Sequence, residues 1–202
     1  SSASQVEIRA LDVRSGDRLA IIGDSITEQK QYSRIIETYL TVCRPELKVD
    51  VRQFGWGGET AAGFLNRMDA DTLKFKPTLA TTCYGMNDHG YRAYASEIGD
   101  NYRRNMEQIV QRLETANVRV VVGSPGIIGK KPTWVKDSES TADDMNGGLQ
   151  QLRGIARELG SQGQRGFADV YNVMADLRDR AAKDSPTMEV GGVDGVHPGG
   201  AG

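Results

Sequence analysis

Cysteine and histidine are almost absent from this chain of 202 residues, which has two of each. Cys43 and Cys83 are too few for a disulfide framework, and a lone cysteine commonly serves as a small buried hydrophobe. His89 and His197 stand far apart with no clustered His/Cys spacing, so no metal site is expected. Charge of one sign is also lacking. Lys and Arg number 25 and Asp and Glu 27, a formal net charge of −2. That balance gives no footprint for nucleic acid. The longest apolar runs are strand-length, so no membrane insertion is expected. An initiating methionine is missing too. A chain starting at Ser1 fits a removed secretory leader and a secreted or periplasmic protein, and leaves the compartment open.

The length suffices for one domain with a full hydrophobic core. Five short apolar runs, at 19–22, 49–54, 78–84, 118–123 and 167–171, alternate with amphipathic stretches at 32–43, 60–68, 96–116 and 143–159. In the third stretch Ile98, Tyr102, Met106, Ile109, Val110 and Leu113 keep the three-to-four spacing of one helix face. Continuous apolar strands alternating with helices predict a parallel sheet covered on both faces. Right-handed crossovers then give a three-layer α/β/α sandwich around five parallel strands. Residues 124–141 form an unusually long connection, with Trp134 in its middle. Such loops are usually functional or disordered, and this one starts at the carboxyl edge of the sheet, where open α/β folds bind ligands. The chain stops at Gly202 where a helix after His197-Pro198 would begin, so a single domain over 1–202 lacking its last helix is expected.

The strand ends carry the chemistry. The first strand runs into Gly23-Asp24-Ser25, the second into Gly55-Trp56-Gly57-Gly58-Glu59-Thr60, and the third into Gly85-Met86-Asn87-Asp88. Parallel strands bring these loops side by side. They deliver a hydroxyl, a glycine-rich turn with bare N–H groups, and an amide able to hold an oxyanion. Asp194 precedes His197 by three residues in the closing segment, so a serine, a base and a carboxylate to orient it are all present. Each feature has a plainer reading. Asp24 and Ser25 are favoured helix caps, and Asn87-Asp88 is a common turn pair. His89, beside Asn87, is a rival base or a substrate contact. Trp56 and Trp134 fall in edge loops, where they stack on a sugar, line an acyl pocket, or only close the loops. Arg103-Arg104 and the acidic 137–144 segment read as solvated surface.

The serial pattern Gly-Asp-Ser, Gly-Gly-Glu-Thr, Gly-Met-Asn-Asp and Asp-x-x-His-Pro resembles the SGNH hydrolase superfamily, the GDSL esterases and lipases, over about residues 18–200. Ile26 replaces the common leucine after the serine, and Thr27 departs from the Gly-x-Ser-x-Gly elbow of α/β-hydrolases. The resemblance implies a flavodoxin-like sandwich and a serine esterase without a cofactor. By motif match Ser25 is the nucleophile, His197 the base and Asp194 its partner. The N–H groups of Ser25 and Gly58 and the Asn87 amide form the oxyanion hole. Asp24, Trp56, His89 and Trp134 are candidate substrate contacts. A chain of this type resembles bacterial carbohydrate O-acetylesterases, so a small-molecule or glycan ester is the expected partner. Alternatives are a broad short-chain esterase, a thioesterase or a lysophospholipase. From another class comes a non-catalytic glycan-binding module. A phosphate- or flavin-binding domain is disfavoured, because the loop after the first strand lacks a glycine-rich cradle.

Overall fold

In the computed structural model residues 11–136, 140–185 and 187–199 are described. Five strands form one all-parallel sheet: β1 (Arg18–Gly23), β2 (Asp50–Gly55), β3 (Leu79–Cys83), β4 (Arg119–Gly123) and β5 (Gly166–Ala168). Their spatial order is β2-β1-β3-β4-β5, the flavodoxin-like order of doubly wound sheets. The α/β sandwich expected from the alternating pattern is the observed architecture.

Side chains of β1 alternate between two cores, as a strand period of two requires. Ala20 and Ile22 join Phe64, Tyr102, Met106, Ile109 and Leu113 on one face. Leu19 and Ile21 join Leu40 and Leu79 on the other. A short α4 (Met86–His89) follows β3, and the first of these cores is capped by α3 (Ala61–Arg67), α5 (Ser96–Thr115) and α6 (Ala142–Gly160). In α5 the buried residues include the six that the three-to-four spacing selected. The helix α6 starts where Thr141 and Asp144 form a reciprocal capping box.

Two expectations change. The 32–43 stretch is helical but changes type part-way. A short α1 (Ser25–Glu28) precedes α2 (Gln31–Thr38), and the chain widens through a π turn at Tyr39–Cys43 before it tightens in a 3₁₀ turn at Pro45–Leu47. Lys30 sits between α1 and α2 at φ 60°, which breaks the helical path. The run at 167–171 is also shorter than expected as a strand. Asp169 accepts a hydrogen bond from the Asn172 N–H and caps α7 (Val170–Asp184), so the strand ends at Ala168. The helix α7 escaped the periodicity because it buries little: Val173 faces solvent and Ala181 is its buried residue.

Register places the site. Gly55 pairs with Gly23, Gly23 with Cys83, Cys83 with Gly123 and Gly123 with Ala168, so all five strands end in one row. The helix α1 lies directly over that row: a Cβ on Gly55 would stand 2.1 Å from the Glu28 backbone nitrogen. Glycine there is a requirement of close packing. Cys43 and Cys83 are both free. Arg103 pairs with Glu158 on the surface. The expected helix after Pro198 and part of the acidic segment, residues 137–139, lie outside the described residues.

Candidate active site

Ser25 opens α1 immediately after β1. Asp24 caps that helix, its Oδ1 accepting from the Ile26 N–H at 3.0 Å. The cap fixes the turn and sets the Ser25 hydroxyl at the carboxyl edge of the sheet. There Ser25 Oγ lies 2.7 Å from His197 Nε2. On the other side of the ring, His197 Nδ1 lies 2.7 Å from Asp194 Oδ2. The second carboxylate oxygen, Oδ1, accepts from the N–H groups of Val196 and His197, both at 2.9 Å. Burial pushes the Asp194 carboxyl up, but these N–H groups and the imidazole outweigh it and hold the group below the usual range. An ionised carboxylate can only accept, so Nδ1 carries the ring proton and Nε2 presents its lone pair to the serine hydroxyl.

The closing segment reaches this edge by lying on the long loop after β4. The Gly129 N–H donates to the Gly195 carbonyl at 2.8 Å, and Lys130 Nζ pairs with Glu189 at 2.5 Å. Val196 packs with Met86, Ile128, Met145 and Leu149. The loop is in turn anchored to α6 by Asn146. Its amide nitrogen donates to the Ile128 carbonyl at 2.8 Å, and its oxygen accepts from the Ile128 N–H at 2.7 Å. Residues 124–141 therefore include the bed on which the histidine loop rests, a role their length alone did not specify.

Two further loops leave the same edge of the sheet. Gly58 takes φ 71°, where side chains are rarely accommodated. The Asn87 amide nitrogen donates to the Glu59 carbonyl at 3.1 Å, and its oxygen accepts from Tyr91 at 3.4 Å. One N–H of the amide is committed to the bond with Glu59. Glu59 anchors this turn. It accepts from Arg67 Nε and Nη2, both at 2.6 Å, and from the Tyr84 hydroxyl at 2.6 Å. Arg67 Nη2 also reaches the Phe54 carbonyl at 2.8 Å. Asp88 joins the two loops, accepting from the N–H groups of Ala61 and Gly85, each at 3.0 Å. Asn146, the Glu59–Arg67–Tyr84 network and Tyr91 were missed by sequence reasoning. Only Glu59 lay inside a motif.

The remaining expected contacts separate by exposure. Asp24 is buried, and burial, with the Asp88 charge adding to it, pushes its carboxyl up to about 6. Its side chain is a helix cap with almost no surface for substrate. His89 is wholly buried against Gly148, and neither ring nitrogen has a hydrogen-bond partner among the described residues. Burial, with the Arg92 charge adding to it, lowers its pKa to about 4. It has neither the orienting group nor the access that a base or substrate contact needs. Trp56 and Trp134 are both half open, at 61% and 47% exposure. Trp56 stands near the Arg67 guanidinium, and Trp134 packs against the His197 ring.

Residues 21–202 match the GDSL-like lipase/acylhydrolase family. The chain belongs to this family. Its members are carboxylic ester hydrolases, and so is this protein. No curated protein matches it in sequence. Solved structures share the GDSL fold at low identity. An acetylxylan esterase, Axe2 from Geobacillus stearothermophilus, is 18% identical, with a TM-score of 0.73 over 95% of this chain and 90% of its own. The acetyl xylan esterase AlAXEase is 21% identical, with a TM-score of 0.68 over 90% and 92%. BT4096, a gut microbial diltiazem-metabolising enzyme, is 24% identical with a TM-score of 0.78. The present chain aligns over 96% of its length but spans only 45% of that enzyme.

Proposed function

We propose that Ser25, His197 and Asp194 are a catalytic triad hydrolysing short-chain esters, with O-acetyl groups on carbohydrates as the substrate class. The observation carrying this reading is the unbroken relay Ser25 Oγ–His197 Nε2–His197 Nδ1–Asp194 Oδ2, with both links at 2.7 Å. Ser25 Oγ attacks the ester carbonyl while Nε2 takes its proton. The N–H groups of Ser25 and Gly58 and the free N–H of Asn87 hold the tetrahedral oxyanion. The imidazolium then protonates the departing alcohol, leaving an acyl-serine. Water attacks that acyl group, again through His197, and releases the acid and the free serine. The acetyl and carbohydrate parts draw support from the shared fold of two acetylxylan esterases, which is analogy of architecture.

Initial rates on p-nitrophenyl esters from acetate to dodecanoate, with Ser25→Ala alongside, test the reading. A rate peaking at acetate and abolished in the variant is expected. Rates rising with chain length would replace the acetylesterase by a lysophospholipase or a broad esterase. Saturable glycan binding with no Ser25-dependent acid release would point instead to a glycan-binding module.

A further inference from the structure

Trp134 stands beside the ring that releases the alcohol. Its ring centre is 6.3 Å from that of His197, with the planes tilted by 45°. Tyr91 meets the indole edge-on, at 6.1 Å and 83°. Tyr91 itself is held at φ 54°, in left-handed backbone. A bulky side chain is strained in that region, and such strain concentrates at ligand clamps. The Tyr91 hydroxyl reaches Asn87. One aromatic corner therefore touches the imidazole with one ring and the candidate oxyanion amide with the other. The second indole, Trp56, opens the 56–60 turn and lies by Arg67.

We infer that Trp134, backed by Tyr91, is the platform for the alcohol half of the ester, and that this half is a pyranose ring. The inference rests on the acetylated-carbohydrate reading above. To be protonated, the leaving oxygen must come within hydrogen-bond reach of Nε2. The atoms attached to it then run beside the imidazole, where the open indole stands. A pyranose offers a flat face of C–H groups, which complements the negative face of an aromatic ring. A flexible acyl or glyceryl chain has no such flat match. An indole already held by a second ring loses little freedom on binding, which suits a specificity-determining surface.

The chain has two tryptophans, so in the double variant Ser25→Ala, Trp56→Phe all indole fluorescence comes from Trp134. Titration with xylotetraose and cellotetraose should give a saturable change, and glycerophosphocholine none. In kinetics, Trp134→Ala should raise KM for acetylated xylo-oligosaccharides about tenfold with kcat within about twofold. Trp134→Phe should recover most of that loss, and kcat/KM on ethyl acetate should stay within about twofold. An equal fall on ethyl acetate and glycan ester would overturn the inference, since Trp134 would then only hold His197. An unchanged glycan KM in Trp134→Ala would overturn it as well and leave the acetylesterase reading standing. Turnover of p-nitrophenyl acetate without turnover of any glycan ester would reject the acetyl-glycan reading and the platform with it, even with the fluorescence response retained.

Discussion

Asn146 grips the backbone of Ile128 at both of its hydrogen-bonding groups. The amide is buried in the wall of α6, and through Ile128 and Gly129 it governs where the histidine loop lies. Asn146→Ala should leave two buried backbone groups without partners, at about 1–3 kcal/mol each. The expected outcome is a lower melting temperature and a fall in kcat larger than any change in KM. Asn146→Asp can still accept from the Ile128 N–H but cannot donate to its carbonyl, so it should fall between the wild type and Ala. Wild-type kcat in Asn146→Ala would separate the clamp from the site.

The relay predicts a tautomer effect. Asp194→Asn keeps the shape of the side chain, but its amide can donate to Nδ1 and so favours the proton on Nε2. On the precedent of serine hydrolases, kcat should fall about 10⁴-fold with the fold intact. Stopped-time assays on p-nitrophenyl acetate, with circular dichroism as a control, measure both.

Glu59 acts at one remove from the chemistry, through its own carbonyl on Asn87. Asn87→Ala should lose about 10²–10³ in kcat, as for removal of one oxyanion donor. Glu59→Gln keeps the side-chain shape but breaks the charge pairing with Arg67. It should lower kcat by roughly tenfold, within the losses caused by slight misplacement, and leave KM nearly unchanged. Glu59→Ala should mainly destabilise, because Arg67, a largely buried charge, would then keep only the exposed Asp71 carboxylate as an ionic partner. A change in KM alone for Glu59→Gln would remove Glu59 from this role.

His89 predicts an acid limb of stability. Its folded pKa is near 4 against about 6.5 unfolded. Between these values the unfolded chain binds the extra proton, so stability falls as pH drops from about 6.5 to 4 and levels off below. The full loss is about 3 kcal/mol. Asp24 and Asp88, both raised to about 6 mainly by burial, act in the opposite direction, since the folded state takes up their protons first. Their contribution is common to wild type and His89→Gln, so the difference between the two denaturation curves isolates His89. Parallel curves from pH 7 to 4 would contradict the buried neutral imidazole.

The sequence carried the fold because each signal was local. Strand runs such as 19–22 and the α5 face are written within a few residues. The Gly-Asp-Ser, Asn87 and Asp194–His197 blocks were legible for the same reason, since each marks a strand end or a tight turn. What escaped was pairwise. Asn146 is one polar residue on an apolar helix face, and nothing nearby names Ile128 as its partner. The left-handed backbone of Tyr91 is imposed by its surroundings. His89 resembled a base because it neighbours Asn87 in sequence, whereas the helical turn Met86–His89 points it into Gly148. The five-residue strand at 167–171 yielded to the Asp169 cap, a competition between propensity and capping that composition does not decide.

Ser25 and His197 meet across 172 residues of chain. The proposed nucleophile is laid down with the first strand, but its proposed base lies beyond the fifth. A growing chain can therefore complete the whole sheet and still be chemically silent. On the proposed roles, reactivity arrives only when the segment carrying Asp194 and His197 settles onto the loop after β4, so ester turnover reports a step later than completion of the sheet. A proteolytic cut between α7 and Asp194 would leave the sandwich standing and the serine without its base.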